Sequence, residues 1–214
     1  MRRLLIHSQS DRNEGVRALA RRCEAQGVRV ESADRVLRRI SGKDNCYAAI
    51  VFEKTRDELE KARSHVVLHH PSDMGNLGTI LRSLLGFGLI DLAVIRPAAD
   101  PFDPRVVRAS MGALFGLRLR EYEDFEAYRA EHPDHALYPF MLDASVPLDA
   151  AVRDKRTPYA LVFGNEASGL PADFAQMGRP VRIAHSADID SLNLAVAVSI
   201  AAYAFTTGEG EGTP

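Results

Sequence analysis

Five polar side chains in three short stretches could do chemistry on a bound substrate. Asn76 and Arg82 stand in Asn76-Leu77-Gly78-Thr79-Ile80-Leu81-Arg82, and Glu166 in Gly164-Asn165-Glu166-Ala167-Ser168-Gly169-Leu170-Pro171. Ser191 and Asn193 belong to Ser191-Leu192-Asn193. Amides and hydroxyls position a substrate by hydrogen bonding, a carboxylate orients a donor group, and a guanidinium grips phosphate. Each also has a structural reading. Asn76 falls where a helix begins and can cap it, as can Ser191 or Asn193. Arg82 can be a surface arginine with its stem packed along an apolar stripe. Glu166 has the least obvious structural task, because its glycine loop follows directly from the apolar run Tyr159-Ala160-Leu161-Val162-Phe163. That layout suits a ligand site at the C-terminal edge of a parallel sheet, although a tight turn explains the glycines equally well.

Several chemistries fail on specific residues. Gly164 and Gly169 are followed by Leu170-Pro171, where a phosphate-binding loop needs Lys and Ser/Thr. Gly86 and Gly88 close a helix rather than open one, which removes the dinucleotide fingerprint. Ser168 lacks the Gly-x-Ser-x-Gly frame of a hydrolase elbow. His65, His69 and His70 lie around one strand, while His132 and His135 bracket Pro133, and no third convergent ligand is evident. Asp188 and Asp190 read as a solvated loop, so no metal is expected.

The elements that must carry these stretches alternate between strand and helix, the pattern of an α/β domain with a parallel sheet. A small unit comes first: strands at 4–6, 28–30 and 47–52, with helices at 12–26 and 33–40. Residues 54–64 are charged, with few large apolar side chains, and read as a linker that is partly helical. The second unit opens with strand 66–69 and a helix whose Leu77, Ile80, Leu81, Leu84 and Leu85 follow the i, i+3, i+4, i+7, i+8 pattern. Strand 92–95 closes that βαβ unit. A helix from 103 or 104 to about 115, strand 117–119, helix 124–131, strand 137–142, a short helix near 150, strand 159–163, strand 181–183 and a closing helix 192–206 complete it. The Gly/Glu tail 208–214 reads as disordered.

Composition narrows the class. With 46% hydrophobic residues among 214, the chain can bury a sizeable core. Two cysteines make no disulfide framework, and no apolar run reaches the ~20 residues of a membrane span, so a cytoplasmic protein is expected. The net charge of −2 hides an asymmetry: residues 1–43 hold eleven basic against five acidic side chains. A phosphate-backbone partner or a solvated helix face would each explain it.

Taken together and in order, the three stretches resemble the three motifs of the SpoU (TrmH-type) RNA 2′-O-ribose methyltransferases, within the SPOUT superfamily. Ala109-Ser110-Met111-Gly112-Ala113-Leu114-Phe115 is similar to the family's intervening Ser-x-Gly-Ala segment. The likeness spans about residues 65–206. A weaker one links residues 1–52, through Lys43-Asp44-Asn45-Cys46-Tyr47-Ala48-Ala49-Ile50-Val51, to the ribosomal-protein-like RNA-binding domain in front of many members, here without its first helix. The resemblance implies four parts: a truncated RNA-binding domain at 1–53, a linker at 54–64, a parallel-sheet domain with a C-terminal trefoil knot at 65–207, and the tail. It implies S-adenosylmethionine as cofactor and a homodimer whose sites use both subunits. The substrate it implies is RNA, with rRNA favoured over tRNA because of the front domain. Asn76, Arg82, Glu166, Ser191 and Asn193 then fall on catalytic or RNA-contacting positions. Gly164, Ile183 and Leu192, with Leu142, Phe163, Asn165 and Gly169, would hold the methyl donor. One departure is local: members usually show Ile-Pro-Met where this chain has Ile183-Ala184-His185. A non-catalytic RNA-binding or assembly factor is the alternative.

Overall fold

In a computed structural model of the chain, residues 1–41, 46–54 and 56–207 are described. The chain divides into two compact units, 1–55 and 56–214. The expected tail at 208–214, and Lys43-Asp44-Asn45 of the front-domain likeness, lie outside the described residues.

The first unit contains β1 (Arg3–Ile6), α1 (Glu14–Ala25), β2 (Arg29–Ser32), α2 (Asp34–Ser41) and β3 (Ala48–Val51). Its sheet runs β2-β1-β3, with β1 parallel to β2 and antiparallel to β3. Leu4, Leu5, Cys23 and Leu37 form its small core. Asn13 starts α1 by accepting the Val16 N–H at 3.1 Å. Arg12, Arg17, Arg21, Arg22, Arg35, Arg38 and Arg39 are all exposed, so the basic excess of this segment faces solvent.

The second unit carries β4 (His65–His69), α3 (Met74–Gly86), β5 (Asp91–Ile95), α4 (Pro104–Ala109), β6 (Arg118–Tyr122), α5 (Phe125–Glu131) and β7 (Ala136–Pro139). It continues with β8 (Val146–Pro147), α6 (Leu148–Arg153), β9 (Tyr159–Phe163), α7 (Phe174–Met177), β10 (Val181–Arg182) and α8 (Leu194–Thr207). The main sheet is wholly parallel in the order β6-β5-β4-β9-β7, and β10 pairs with β8 beside it. Parallel sheets are covered on both faces, which explains the unbroken apolar runs at 66–68 in β4, 92–95 in β5 and 159–163 in β9. Leu77, Ile80 and Leu84 of α3 and Val198 and Phe205 of α8 pack on one face with Val66 and Leu68. Phe125 and Tyr128 of α5 and Phe174 of α7 cover the other with Val67 and Val162.

Three differences from the sequence reading have physical causes. The helix expected from 104 to 115 stops at Ala109, because Met111 and Gly112 take left-handed φ values of 52° and 89°; a 3-10 turn, Ala113–Gly116, follows. Residues 56–64 are neither helix nor a loose linker. Leu59 is buried, Asp57 accepts the Leu119 N–H at 3.1 Å, and the Glu60 N–H donates to Asp91 at 3.0 Å. This belt crosses the N-terminal end of the sheet, where Arg118 bonds both Asp91 and Glu60.

The third difference concerns the histidines. His65 at the start of β4 meets His132 and His135 from the end of α5 and the turn beyond it, and all three are buried. One ring nitrogen of each lies within 4.8 Å of one from each of the others, so a third convergent ligand is present after all. Burial pushes His65 and His132 down to about 4 and lowers His135, which keeps all three neutral at pH 7. No helix among the described residues is long and apolar enough to cross a membrane.

Candidate functional site: a cavity at the C-terminal edge of the sheet

The three polar stretches meet where β9 ends. Gly164 follows its last residue and has no room for a side chain: a Cβ there would sit 2.1 Å from the Gly169 carbonyl carbon and 2.3 Å from the Leu170 nitrogen. The loop closes on itself, with Gly169 at φ 68° and its N–H donating to the Asn165 carbonyl at 2.9 Å. Asn165 fastens it further. Its amide donates to the His70 carbonyl at 2.8 Å beyond β4, and its Oδ1 accepts the Ala167 N–H at 2.9 Å.

This loop forms one wall of a cavity of about 400 Å³. Gly164, Asn165, Gly169 and Glu166 line it together with Leu142, Phe163, Ile183, Leu192, Asn76, Ser191 and Asn193. Every residue that the sequence reading assigned to the site is therefore here, except Arg82. That side chain is exposed on α3, is absent from the cavity lining, and makes no ion pair or hydrogen bond among the described residues.

The polar residues are joined to one another. Glu166 accepts the Ser72 N–H at 3.0 Å, the Ser72 hydroxyl at 2.9 Å and the Asp73 N–H at 3.1 Å. It also accepts the Asn76 amide at 3.3 Å. Partial burial pushes its carboxyl up, but these N–H and O–H donors outweigh that and hold it below the ordinary carboxylate range. Asn76 passes the connection on: its Oδ1 accepts the Asn193 amide at 2.8 Å. Glu166, Asn76 and Asn193 thus form one hydrogen-bonded relay across all three sequence stretches.

Asn76 is free to do this because it does not cap α3. Asp73 does, accepting the Asn76 N–H at 2.7 Å, and the helix begins three residues earlier than the apolar stripe alone suggests. Asn193 does both jobs at once. Its Oδ1 accepts the Ala195 and Val196 N–H groups at the start of α8, while its amide faces Asn76.

Sequence reasoning missed Ser72 and Asp73, which act largely through backbone N–H groups that no side-chain pattern announces. It also missed Phe140, Met141 and Arg182, which line the cavity because β7 leads into it and β10 runs past it. His185, at the departure from Ile-Pro-Met, lines the cavity too, with Nδ1 3.0 Å from the Ile183 carbonyl.

The cavity has the size of a small-molecule site, about 300–1,000 Å³. Apolar side chains from Leu142, Phe163, Ile183 and Leu192 stand beside bare backbone at Gly164 and Gly169. Leu142 is 57% exposed although its side chain is apolar. These residues suit a flat, partly polar ligand such as an adenosine derivative.

Comparison with known proteins agrees with the geometry. A ribosomal RNA small subunit methyltransferase G 2 of Syntrophobacter fumaroxidans is 31% identical over 139 residues, which are 63% of this chain but 25% of that protein. The chain thus spans about a quarter of that relative's length. A 23S rRNA (uridine(2479)-2′-O)-methyltransferase of Streptomyces viridochromogenes is 29% identical over 95% of this chain and 75% of its own length. Among solved structures, the AdoMet-bound rRNA methyltransferase of Sinorhizobium meliloti aligns over 98% of this chain and 81% of its own, with a TM-score of 0.78 and 26% identity. Residues 63–203, which contain all three motifs and the whole cavity, match the SpoU rRNA Methylase family. The chain belongs to the SpoU rRNA methylase family.

Proposed function

We propose that this protein transfers a methyl group from S-adenosylmethionine to a ribose 2′-hydroxyl of structured RNA. The observation that carries the reading is the relay Glu166–Asn76–Asn193, which joins the three family motifs at the mouth of a cavity of donor size. Gly164, Ile183, Leu192 and their neighbours would hold the donor. Bound there, S-adenosylmethionine supplies an electrophilic methyl group on sulfur.

The chain itself supplies position and charge. A ribose hydroxyl is a weak nucleophile, so most of the acceleration must come from holding it in line with the methyl group. Ser191 and the amides of Asn76 and Asn193 offer hydrogen bonds for that purpose, and Glu166 fixes the Asn76 rotamer. Arginine is a poor base, so Arg82 serves best by gripping the neighbouring phosphate and stabilising charge as the hydroxyl proton leaves.

Arg82 stands outside its own chain's cavity lining, which fits a homodimer in which each protomer's Arg82 completes the other's site. An apolar surface supports that arrangement: Leu85 on α3, Met111 and Phe115 in and just before the 3-10 segment, and Val196, Ile200 and Tyr203 on α8 are all exposed, and α3 packs against both the 3-10 segment and α8. The exposed arginines of the first unit suit an RNA backbone, and rRNA is favoured over tRNA. A C-terminal trefoil knot and a cytoplasmic location complete the proposal.

The test uses methyl-labelled donor and bulk RNA. Label on ribose 2′-oxygens, lost in Arg82→Ala, supports the proposal; label on a base nitrogen overturns the ribose assignment. Donor binding absent at about millimolar concentration, equivalent to roughly 4 kcal/mol, would favour a non-catalytic RNA-binding or assembly factor.

A further inference from the structure

The three buried histidines at the base of the sheet lie at the end of β4 opposite the cavity and have no part in the proposed reaction. Their hydrogen bonds assign the protons. His65 Nε2 is 3.0 Å from the Glu60 carbonyl and must donate to it, which leaves Nδ1 to accept the Tyr128 hydroxyl at 3.0 Å. His135 Nε2 donates to the Arg63 carbonyl at 2.8 Å. The Tyr122 hydroxyl lies 3.5 Å from the Glu131 carboxylate and 3.1 Å from His132 Nε2; with its hydrogen directed to the carboxylate, its oxygen accepts from Nε2. In that arrangement each imidazole is anchored to an oxygen through Nε2 and carries its lone pair on Nδ1. His132 Nδ1 is buried without any hydrogen-bond partner.

An orphaned lone pair in a protein interior is costly and calls for a partner. Metal-ligating histidines show this same arrangement, one nitrogen on the ion and the other N–H held by a carbonyl or similar oxygen. We propose that His65, His132 and His135 form a binding site for one divalent transition-metal ion of the zinc class. Nitrogens already within 4.8 Å of one another would close to the ~3.3 Å separation expected of tetrahedral zinc ligands. Tyr128 would release His65 Nδ1 and leave its oxygen beside the ion. Buried Asp91 and the Glu131 carboxylate stand nearby as counter-charge, offset in part by their partners Arg118 and Arg120. The ion would tie β4, the 56–64 belt and the segment after α5 together, a structural role independent of methyl transfer.

The full chain, stripped with EDTA, is titrated with zinc against a chromophoric chelator and separately with cobalt(II). One equivalent of zinc bound below about micromolar Kd, and visible cobalt bands of a tetrahedral site, are expected. Tyr122→Phe, which removes the hydroxyl that anchors His132 and bonds Glu131 but keeps the packed ring, should weaken zinc about 10–100-fold with the fold kept by circular dichroism. His132→Gln should abolish the stoichiometric binding. Failure of the parent chain to take up zinc overturns the site, and so does unchanged affinity in a folded His132→Gln, which would place the metal on other histidines. Donor binding measured on the same samples separates either outcome from failure of the proposed activity.

Discussion

Replacing Glu166 by alanine removes the acceptor of five hydrogen bonds: two N–H groups at 3.0 and 3.1 Å, the Ser72 hydroxyl at 2.9 Å, and the amides of Asn76 at 3.3 Å and Asn165 at 3.4 Å. Bonds to a charged acceptor contribute about 1.5–3 kcal/mol each when buried. Glu166 is only half-buried, so water can take its place at several of these donors. The discounted loss for the set is about 2 kcal/mol, read as a shift of the urea midpoint at unchanged m-value. Catalysis should suffer more than stability. Without Glu166, the Asn76 amide loses one of its two fixed partners, and the group facing the substrate can rotate. We expect single-turnover methyl transfer to fall about 10–100-fold, because aligned reacting groups lose their advantage with small displacements. Donor affinity by calorimetry should change less than about threefold, since the carboxylate is engaged by Ser72, Asp73 and Asn76 rather than by the donor. A cycle with Asn76→Ala tests the connection directly: coupled residues give non-additive losses of about 0.5 kcal/mol or more. Additive losses, or Glu166→Ala with parental stability and rate, would refute the relay.

Gly164→Ala should abolish donor binding and cost about 3 kcal/mol or more of stability, because its Cβ would meet Gly169 backbone at 2.1 Å; calorimetry and urea unfolding read both effects. Arg82→Ala should leave stability within about 0.5 kcal/mol, as expected of an exposed side chain, and leave donor binding intact while methyl transfer is lost. Tyr203→Glu with Ile200→Asp should give a folded monomer by analytical ultracentrifugation, and mixing that monomer with donor and RNA should show no transfer. Glu166 has a folded pKa below its ordinary value of 4.5, so it contributes stability that is fully present above pH 4.5 and is lost as the pH falls through the lower folded value. Urea midpoints from pH 7 to 3 should therefore converge for the parent and Glu166→Gln at the acid end.

How much of this was legible depends on which physical signal each residue leaves. The sheet strands announced themselves because a parallel strand buried on both faces has an unbroken apolar centre, Val66-Val67-Leu68 in β4, Leu92-Ala93-Val94-Ile95 in β5 and the whole of β9. The βαβ unit around α3 followed from its stripe. The start of α3 was misplaced because hydrophobic spacing locates a helix's face but not its first turn; only Asp73, an N-cap residue three positions upstream, marked it. That displacement matters chemically, since an Asn76 engaged in capping could not reach both Glu166 and Asn193. Motif order brought the cavity residues together on paper, while the hydrogen bonds among them are tertiary, between residues 90 and 117 positions apart. The histidine cluster was illegible for the same reason: His65 meets His132 and His135 only after β4, the belt and the end of α5 have been folded against one another, and no spacing rule spans that distance. Arg82 is the converse case. Its identity was readable and its place on α3 correct, yet one chain does not bring it to the cavity. In the proposed homodimer the second copy of the chain would bring a guanidinium there, and the exposed apolar side chains Leu85, Val196, Ile200 and Tyr203 of α3 and α8 are where that copy would pack.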